Sequence, residues 1–165
     1  MSVMGITNPT NYFHASPKCL TIEYDNDDVY TGELDAQGRP HGSGKMQYSD
    51  GGSYEGEFKE GKRSGKGKMV FPSGNVYEGD FANDLQNGVG VMQINTIGDR
   101  YEGEFRGGRA NGHGVRNYAN GDQKEGQWKN WELLEPSAQS GNISDSSKQL
   151  HSLIKNLFWR LACIE

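Results

Sequence analysis

Four carboxylates, Glu33, Glu57, Asp80 and Glu104, recur along the chain, and paired acids are the usual equipment of glycoside hydrolysis. They stand 24, 23 and 24 residues apart, one per segment. A catalytic pair needs two unlike environments in one place, so this spacing points to a structural duty. The four histidines, His14, His41, His113 and His151, have no metal-ligand spacing, and neither His-Glu-x-x-His nor Cys-x-x-Cys occurs. Cys19 and Cys163 lie at opposite ends, and no Gly-x-Ser-x-Gly elbow is present. Gly61-Lys-Arg-Ser-Gly65-Lys66 comes nearest to a phosphate loop. It is one residue short between its glycines, and Gly67 stands where a magnesium-binding hydroxyl belongs. The Gly-x-Gly pairs lack a third glycine and a following helix. Catalytic residues, a metal and a cofactor are therefore not expected.

Charge leaves one cluster to consider. Lys59, Lys62, Arg63, Lys66 and Lys68 crowd one segment, with a weaker counterpart in Arg106, Arg109, His113 and Arg116. Lys66 and Lys68 are expected to face Glu57 and Glu55, which leaves Lys59, Lys62 and Arg63 free to reach the phosphates of an anionic lipid. The whole chain has 17 Lys+Arg against 22 Asp+Glu, a net charge of -5. That balance argues against non-specific nucleic-acid binding and weakens attraction to an anionic membrane.

What positions these groups is a repeat. Tyr30-Thr-Gly-Glu-Leu34, Tyr54-Glu-Gly-Glu-Phe58, Tyr77-Glu-Gly-Asp-Phe81 and Tyr101-Glu-Gly-Glu-Phe105 are followed by a worn copy, Lys124-Glu-Gly-Gln-Trp128. Their starts are separated by 24, 23, 24 and 23 residues, a fixed period that marks a repeat architecture. Each string is followed by Gly-x-Gly (Gly42/Gly44, Gly65/Gly67, Gly88/Gly90, Gly112/Gly114) and then by Tyr48, Phe71, Ile94 or Tyr118 before a glycine-containing turn. The 24 glycines among 165 residues, about twice the usual share, thus sit at ordered positions. Alternation with period two predicts two short strands per unit joined as a hairpin. Pairing Phe58 with Gly65 would set Gly56 against Gly67 and Tyr54 against Met69, with aromatic rings lying over the glycines.

Four such copies at this period resemble the MORN repeat (membrane occupation and recognition nexus), over about Leu20 to Leu134. The resemblance implies an elongated sheet of stacked hairpins used as a scaffold. Such arrays occur beside lipid kinases, methyltransferases and junctional membrane proteins, in cytoskeletal and ciliary proteins, or alone as small adaptors. The expected fold is all-β: a single-layer, twisted antiparallel sheet with a C-terminal amphipathic helix. The expected organisation is an irregular segment 1–19 and an array 20–134, then a linker 135–144 and a helix 145–164. The array divides into a degenerate opening unit 20–29, units 30–53, 54–76, 77–100 and 101–123, and a partial unit 124–134.

The helix expectation rests on Leu150, Leu153, Ile154, Leu157, Phe158 and Leu161 at helical spacing, flanked by Lys148, His151, Lys155 and Arg160. Its stripe either covers the sheet or docks a partner or membrane, with Leu153, Leu157, Phe158 and Trp159 as the docking residues. Leu157 to Ile164 is interrupted by Arg160 and too short to span a bilayer. With no signal-like start and two cysteines, a cytoplasmic protein at the cytoskeleton or a membrane is expected. The favoured function is a non-enzymatic scaffold that binds a protein partner, cytoskeletal or ciliary, through the aromatic face: Tyr54, Phe58, Tyr77, Phe81, Tyr101 and Phe105. The alternative is a tether to anionic phospholipid. Two open sheet edges also permit a homodimer, which a helix over one edge would disfavour.

Overall fold

A computed structural model describes residues 20–134. The segment 1–19, the linker 135–144 and the helix 145–164, with Leu153, Leu157, Phe158 and Trp159, lie outside the described residues. Eleven strands form one antiparallel sheet in chain order. They are β1 (Leu20–Glu23), β2 (Val29–Leu34), β3 (Pro40–Gln47), β4 (Ser53–Lys59), β5 (Lys62–Val70), β6 (Val76–Ala82), β7 (Leu85–Ile94), β8 (Asp99–Arg106), β9 (Arg109–Asn117), β10 (Gln123–Lys129) and β11 (Glu132–Leu133). At ~4.8 Å per strand the stack is on the order of 48 Å long.

The glycine pairs explain how a single layer makes a core. Gly56 pairs with Gly67, and Gly32, Gly79 and Gly103 pair with Gly44, Gly90 and Gly114. A methyl on Gly67 would stand 2.5 Å from Cε2 of Tyr54, and one on Gly56 would stand 2.5 Å from the Gly67 Cα. Each tyrosine therefore lies flat in the space two glycines leave empty. Its hydroxyl donates to the carbonyl of the acidic residue three positions on: Tyr30 to Glu33 at 2.7 Å, Tyr54 to Glu57 and Tyr77 to Asp80 at 2.9 Å, and Tyr101 to Glu104 at 3.3 Å. Burial pushes the Tyr54, Tyr77 and Tyr101 phenols well above their ordinary range.

The recurring acids close the same motif from the other side. Glu57 accepts the Lys66 N–H at 2.9 Å, and Glu33, Asp80 and Glu104 accept those of Ser43, Val89 and His113 at 3.0, 2.9 and 3.2 Å. Gly65, at φ 65, turns the backbone so that the Glu57 carboxylate fits against it. This bulge corrects the expected register. Gly56 meets Gly67 and Tyr54 meets Met69 as expected, but Phe58 pairs with Arg63 in its own hairpin and with Gly42 of the preceding unit, never with Gly65. The Lys66 side chain likewise leaves Glu57 and forms its ion pair with Asp80 on β6.

Units are clasped along both long edges. Along the hairpin tips, Gly61, Asp84, Gly108 and Trp131 donate N–H to the carbonyls of Pro40, Arg63, Gln86 and Ala110 at 2.8, 3.1, 3.0 and 3.2 Å. Four tips are two-residue turns with both residues at positive φ, the geometry that suits strand twist: 60–61, 83–84, 107–108 and 130–131. Along the edge of inter-unit turns, Asp28, Asn75 and Asp99 accept the N–H groups of Ser49, Thr96 and Ala119 at 2.9, 3.2 and 3.0 Å. At the junction between them both partners are missing together. Gly52 has no side-chain acceptor and Pro72 has no N–H, and Pro72 Cδ comes within 3.3 Å of where a Gly52 Cβ would stand.

Two stability predictions follow from this packing. Gly67→Ala overpacks the Tyr54 ring, which typically costs 1–3 kcal/mol and lowers Tm by roughly 5 °C or more. Tyr54→Phe loses one hydrogen bond, about 1 kcal/mol. A Gly67→Ala loss smaller than that of Tyr54→Phe contradicts the ring-over-glycine core. Protonation supplies the second test. The Ser49 N–H holds Asp28 below its usual range, and the Arg39 N–H does the same for Asp35. Burial pushes Asp99 the opposite way but is outweighed by the Ala119 N–H and Arg116. Folded-state values below the unfolded ones mean stability that is full above about pH 4 and lost as pH falls through the folded values. Tm measured from about pH 5 to 2 should fall, and less steeply in Asp99→Asn.

Candidate functional site

The structure places the six predicted contact aromatics in the core. Tyr54, Tyr77 and Tyr101 are 0% exposed, and Phe58, Phe81 and Phe105 are 3–4% exposed. They form one edge-to-face ladder, Tyr30–Phe58–Tyr54–Phe81–Tyr77–Phe105–Tyr101–Trp128, with centroids 4.8 to 5.5 Å apart. Each such contact contributes ~0.5–1.5 kcal/mol beyond burial. These rings are spent on one another, so a partner cannot grip them directly, and this corrects the expectation that they form the contact surface.

What the same side of the sheet does offer is the next row. Met46 lies opposite Tyr54, so Tyr48, two residues on, shares the face of the ladder, and Phe71, Ile94 and Tyr118 repeat that position. Each is half-buried and stands at the start of an inter-unit turn, with Tyr24, 36% exposed, holding the same place in the opening unit. Tyr48, Phe71 and Tyr118 begin their turns alike, taking the N–H of Gly51, Gly74 and Gly121 onto their carbonyls. Two strand spacings separate successive members, a pitch of ~9.6 Å. The spacing was visible in the sequence, since Tyr24, Tyr48, Phe71, Ile94 and Tyr118 keep the period. What was not visible is which of two repeated aromatic rows the sheet would consume.

The cationic loop divides on inspection. Arg63 is not free. Its backbone N–H and Nε donate to Asp84 Oδ1 at 2.9 and 3.3 Å, Nη2 donates to the Asp84 carbonyl at 2.8 Å, and the guanidinium lies 5.8 Å from the Tyr54 and Phe81 ring centroids. It is an inter-unit clasp laid over the ladder. Lys59 and Lys62 are exposed and directly opposite one another at the base of their tip. Arg106 and Arg109 repeat that arrangement two units on, and the tip between them carries Leu85, 50% exposed. Beside Lys59 and Lys62 a shallow concavity is lined by Glu60, Ser64, Ala82 and Asn83 as well.

The two long edges therefore differ in charge. The five inter-unit turns, 24–28, 48–52, 71–75, 94–98 and 118–122, contain no Lys or Arg, while Asp25, Asp27, Asp50 and Asp122 are exposed there. At the last turn, Arg116 is neutralised by Asp99, with Nε donating at 2.9 Å and Nη2 at 2.6 Å, and its guanidinium stacks 4.8 Å from the Tyr118 ring.

Trp131 escaped the sequence reading, and the setting of His113 was not visible in it. Trp131 sits at φ 72, a strained conformation for a bulky residue. Its ring closes the ladder at 5.4 Å from Tyr101 and 5.7 Å from Phe105. His113 keeps Nδ1 buried without a hydrogen-bond partner, its Nε2 lying 3.6 Å from Glu125 Oε1. Among the described residues no three His, Cys, Asp or Glu side chains converge as metal ligands.

The model of the MORN repeat matches residues 30–53, 54–76, 77–95 and 101–123, more than half of the chain. No curated protein is significantly similar to it in sequence. Among solved structures it is similar to the TCP domain of SAS-4 (dCPAP) in complex with a proline-rich motif of Ana2 (dSTIL) of Drosophila melanogaster. That likeness has 13% identity, covers 73% of this chain and 98% of that one, and has a TM-score of 0.26, too low to inform function. MORN repeats are a non-enzymatic repeat family that binds proteins and lipids. With four matched units, each built on the same tyrosine over the same glycine pair, the chain belongs to the MORN-repeat family.

Proposed function

We propose that this chain is a non-enzymatic cytoplasmic scaffold that holds a protein partner, of a cytoskeletal or ciliary kind, on the aromatic side of its sheet. The contact is the row Tyr48, Phe71, Ile94 and Tyr118. The observation that carries this is the row itself: one large, half-buried side chain per unit at constant pitch, of which Tyr48, Phe71 and Ile94 pack against the layer of interlocked rings. Pre-ordered aromatic and aliphatic groups lose little entropy on contact, which favours affinity. The buried ladder contributes by holding the row in place.

Phe71→Ser with Ile94→Ser should keep the fold, because neither side chain belongs to the ladder, and should abolish capture. Proteins recovered from cell extract by the wild-type chain, quantified against the variant, should fall about tenfold or more, the loss of a typical hot spot. Recovery unchanged by the double substitution rejects the row as the contact.

A second reading, a tether to anionic phospholipid, draws on the hairpin tips. Like charges directly opposite on a hairpin are destabilising, yet Lys59/Lys62 and Arg106/Arg109 place them at two tips around the exposed Leu85. Each cation near an anionic leaflet is worth ~1 kcal/mol. On this reading the chain floats with phosphatidylserine vesicles at low salt but not with phosphatidylcholine vesicles, and Lys59→Glu with Lys62→Glu removes the flotation. Flotation that survives both the substitutions and high salt rules out the tips as the membrane contact.

A further inference from the structure

We propose that the row Tyr48, Phe71, Ile94 and Tyr118 is the docking site of the chain's own residues 145–164, which any protein partner must displace. This deepens the scaffold reading and rests on that row being a binding surface. Three observations converge on this occupant.

The first is pitch. Members of the row recur every ~9.6 Å. In residues 145–164, Leu150 and Leu157, and again Ile154 and Leu161, are seven apart, which on a helix is ~10.5 Å. Twenty helical residues are ~30 Å long, and the row from Tyr48 to Tyr118 spans three pitches, ~29 Å. The second is charge. Lys148, His151, Lys155 and Arg160 flank the apolar stripe, and acids occur in this segment only at its ends, Asp145 and Glu165. Exposed Asp50 and Asp122 stand in the turns at the two ends of the row, with Asp25 and Asp27 in the turn before it; of the cations at the row, Arg63 beside Tyr48 and Arg116 beside Tyr118 are paired with Asp84 and Asp99, and Lys124 lies 5.8 Å from the Tyr118 ring. The third is reach. The chain is tied to the sheet as far as Leu134, whose N–H donates to the Gln127 carbonyl at 2.8 Å. The ten residues 135–144 can extend ~33 Å, more than the ~23 Å length of β10 that separates the tip edge from the turn edge.

Hydrogen–deuterium exchange on the full-length chain, with no partner present, tests this. Residues 145–164 should be protected at every protein concentration. Protection should fall about tenfold or more in Leu153→Glu with Leu157→Glu, and equally in Phe71→Ser with Ile94→Ser. Exchange in β4–β9 should stay unchanged as the control for folding. An unprotected segment in the wild-type chain overturns the proposal. So does protection that ignores the row substitutions, which would seat the segment elsewhere, or protection that rises with protein concentration, which would assign the row to a second copy. The scaffold reading is judged separately, by capture of a partner, so failure of one is distinguishable from failure of the other.

Discussion

A tyrosine ring laid over a pair of cross-strand glycines is the contact on which this sheet depends. A lone β-layer has no second layer to bury its apolar face, and eleven strands with a polar composition would ordinarily lack a core. The glycine pair removes two side chains and admits a ring into the gap. The ring then reaches Glu57 O or its equivalents with its hydroxyl and meets a phenylalanine on each side edge to face. Burial is thus generated along the sheet instead of across it, and each unit needs its neighbours to complete it.

That economy decides which groups remain for binding. The most regular aromatics are consumed in making the layer, as are the most regular carboxylates, which hold the bulge where β-pairing slips. Arg63 is consumed by Asp84 and the ladder. What is left over is arranged by the edges: half-buried apolar residues beside turns without lysine or arginine on one, and exposed lysines and arginines beside Leu85 on the other.

Departures from the repeat are informative in the same way. Gly52 and Pro72 lose both halves of one inter-unit clasp together, so no buried group is left unpaired. Arg116 occupies the place held by methionine in the earlier units and brings Asp99 with it. Trp131 accepts a strained backbone and closes the open end of the ladder with its ring. Pairs of substitutions that answer one another across a junction are what a nearest-neighbour architecture requires.

Much of this was legible in the residues alone. The period, the strand pairs, the opposition of Gly56 to Gly67 and of Tyr54 to Met69, and the structural duty of Glu33, Glu57, Asp80 and Glu104 all follow from spacing, because each depends on neighbours no more than one unit away. Tertiary structure alone decided what depends on three-dimensional competition for space. It showed that the bulge at Gly65 moves Phe58 against Arg63 and turns Lys66 toward Asp80. It showed that of two aromatic rows with the same period, Tyr54, Tyr77 and Tyr101 sink into the layer while Tyr48, Phe71 and Tyr118 stay half-exposed. Alternation along a strand assigns both rows to one face, and only the position of the glycines beneath the first row, seen across paired strands, determines which rings can lie flat and vanish from the surface.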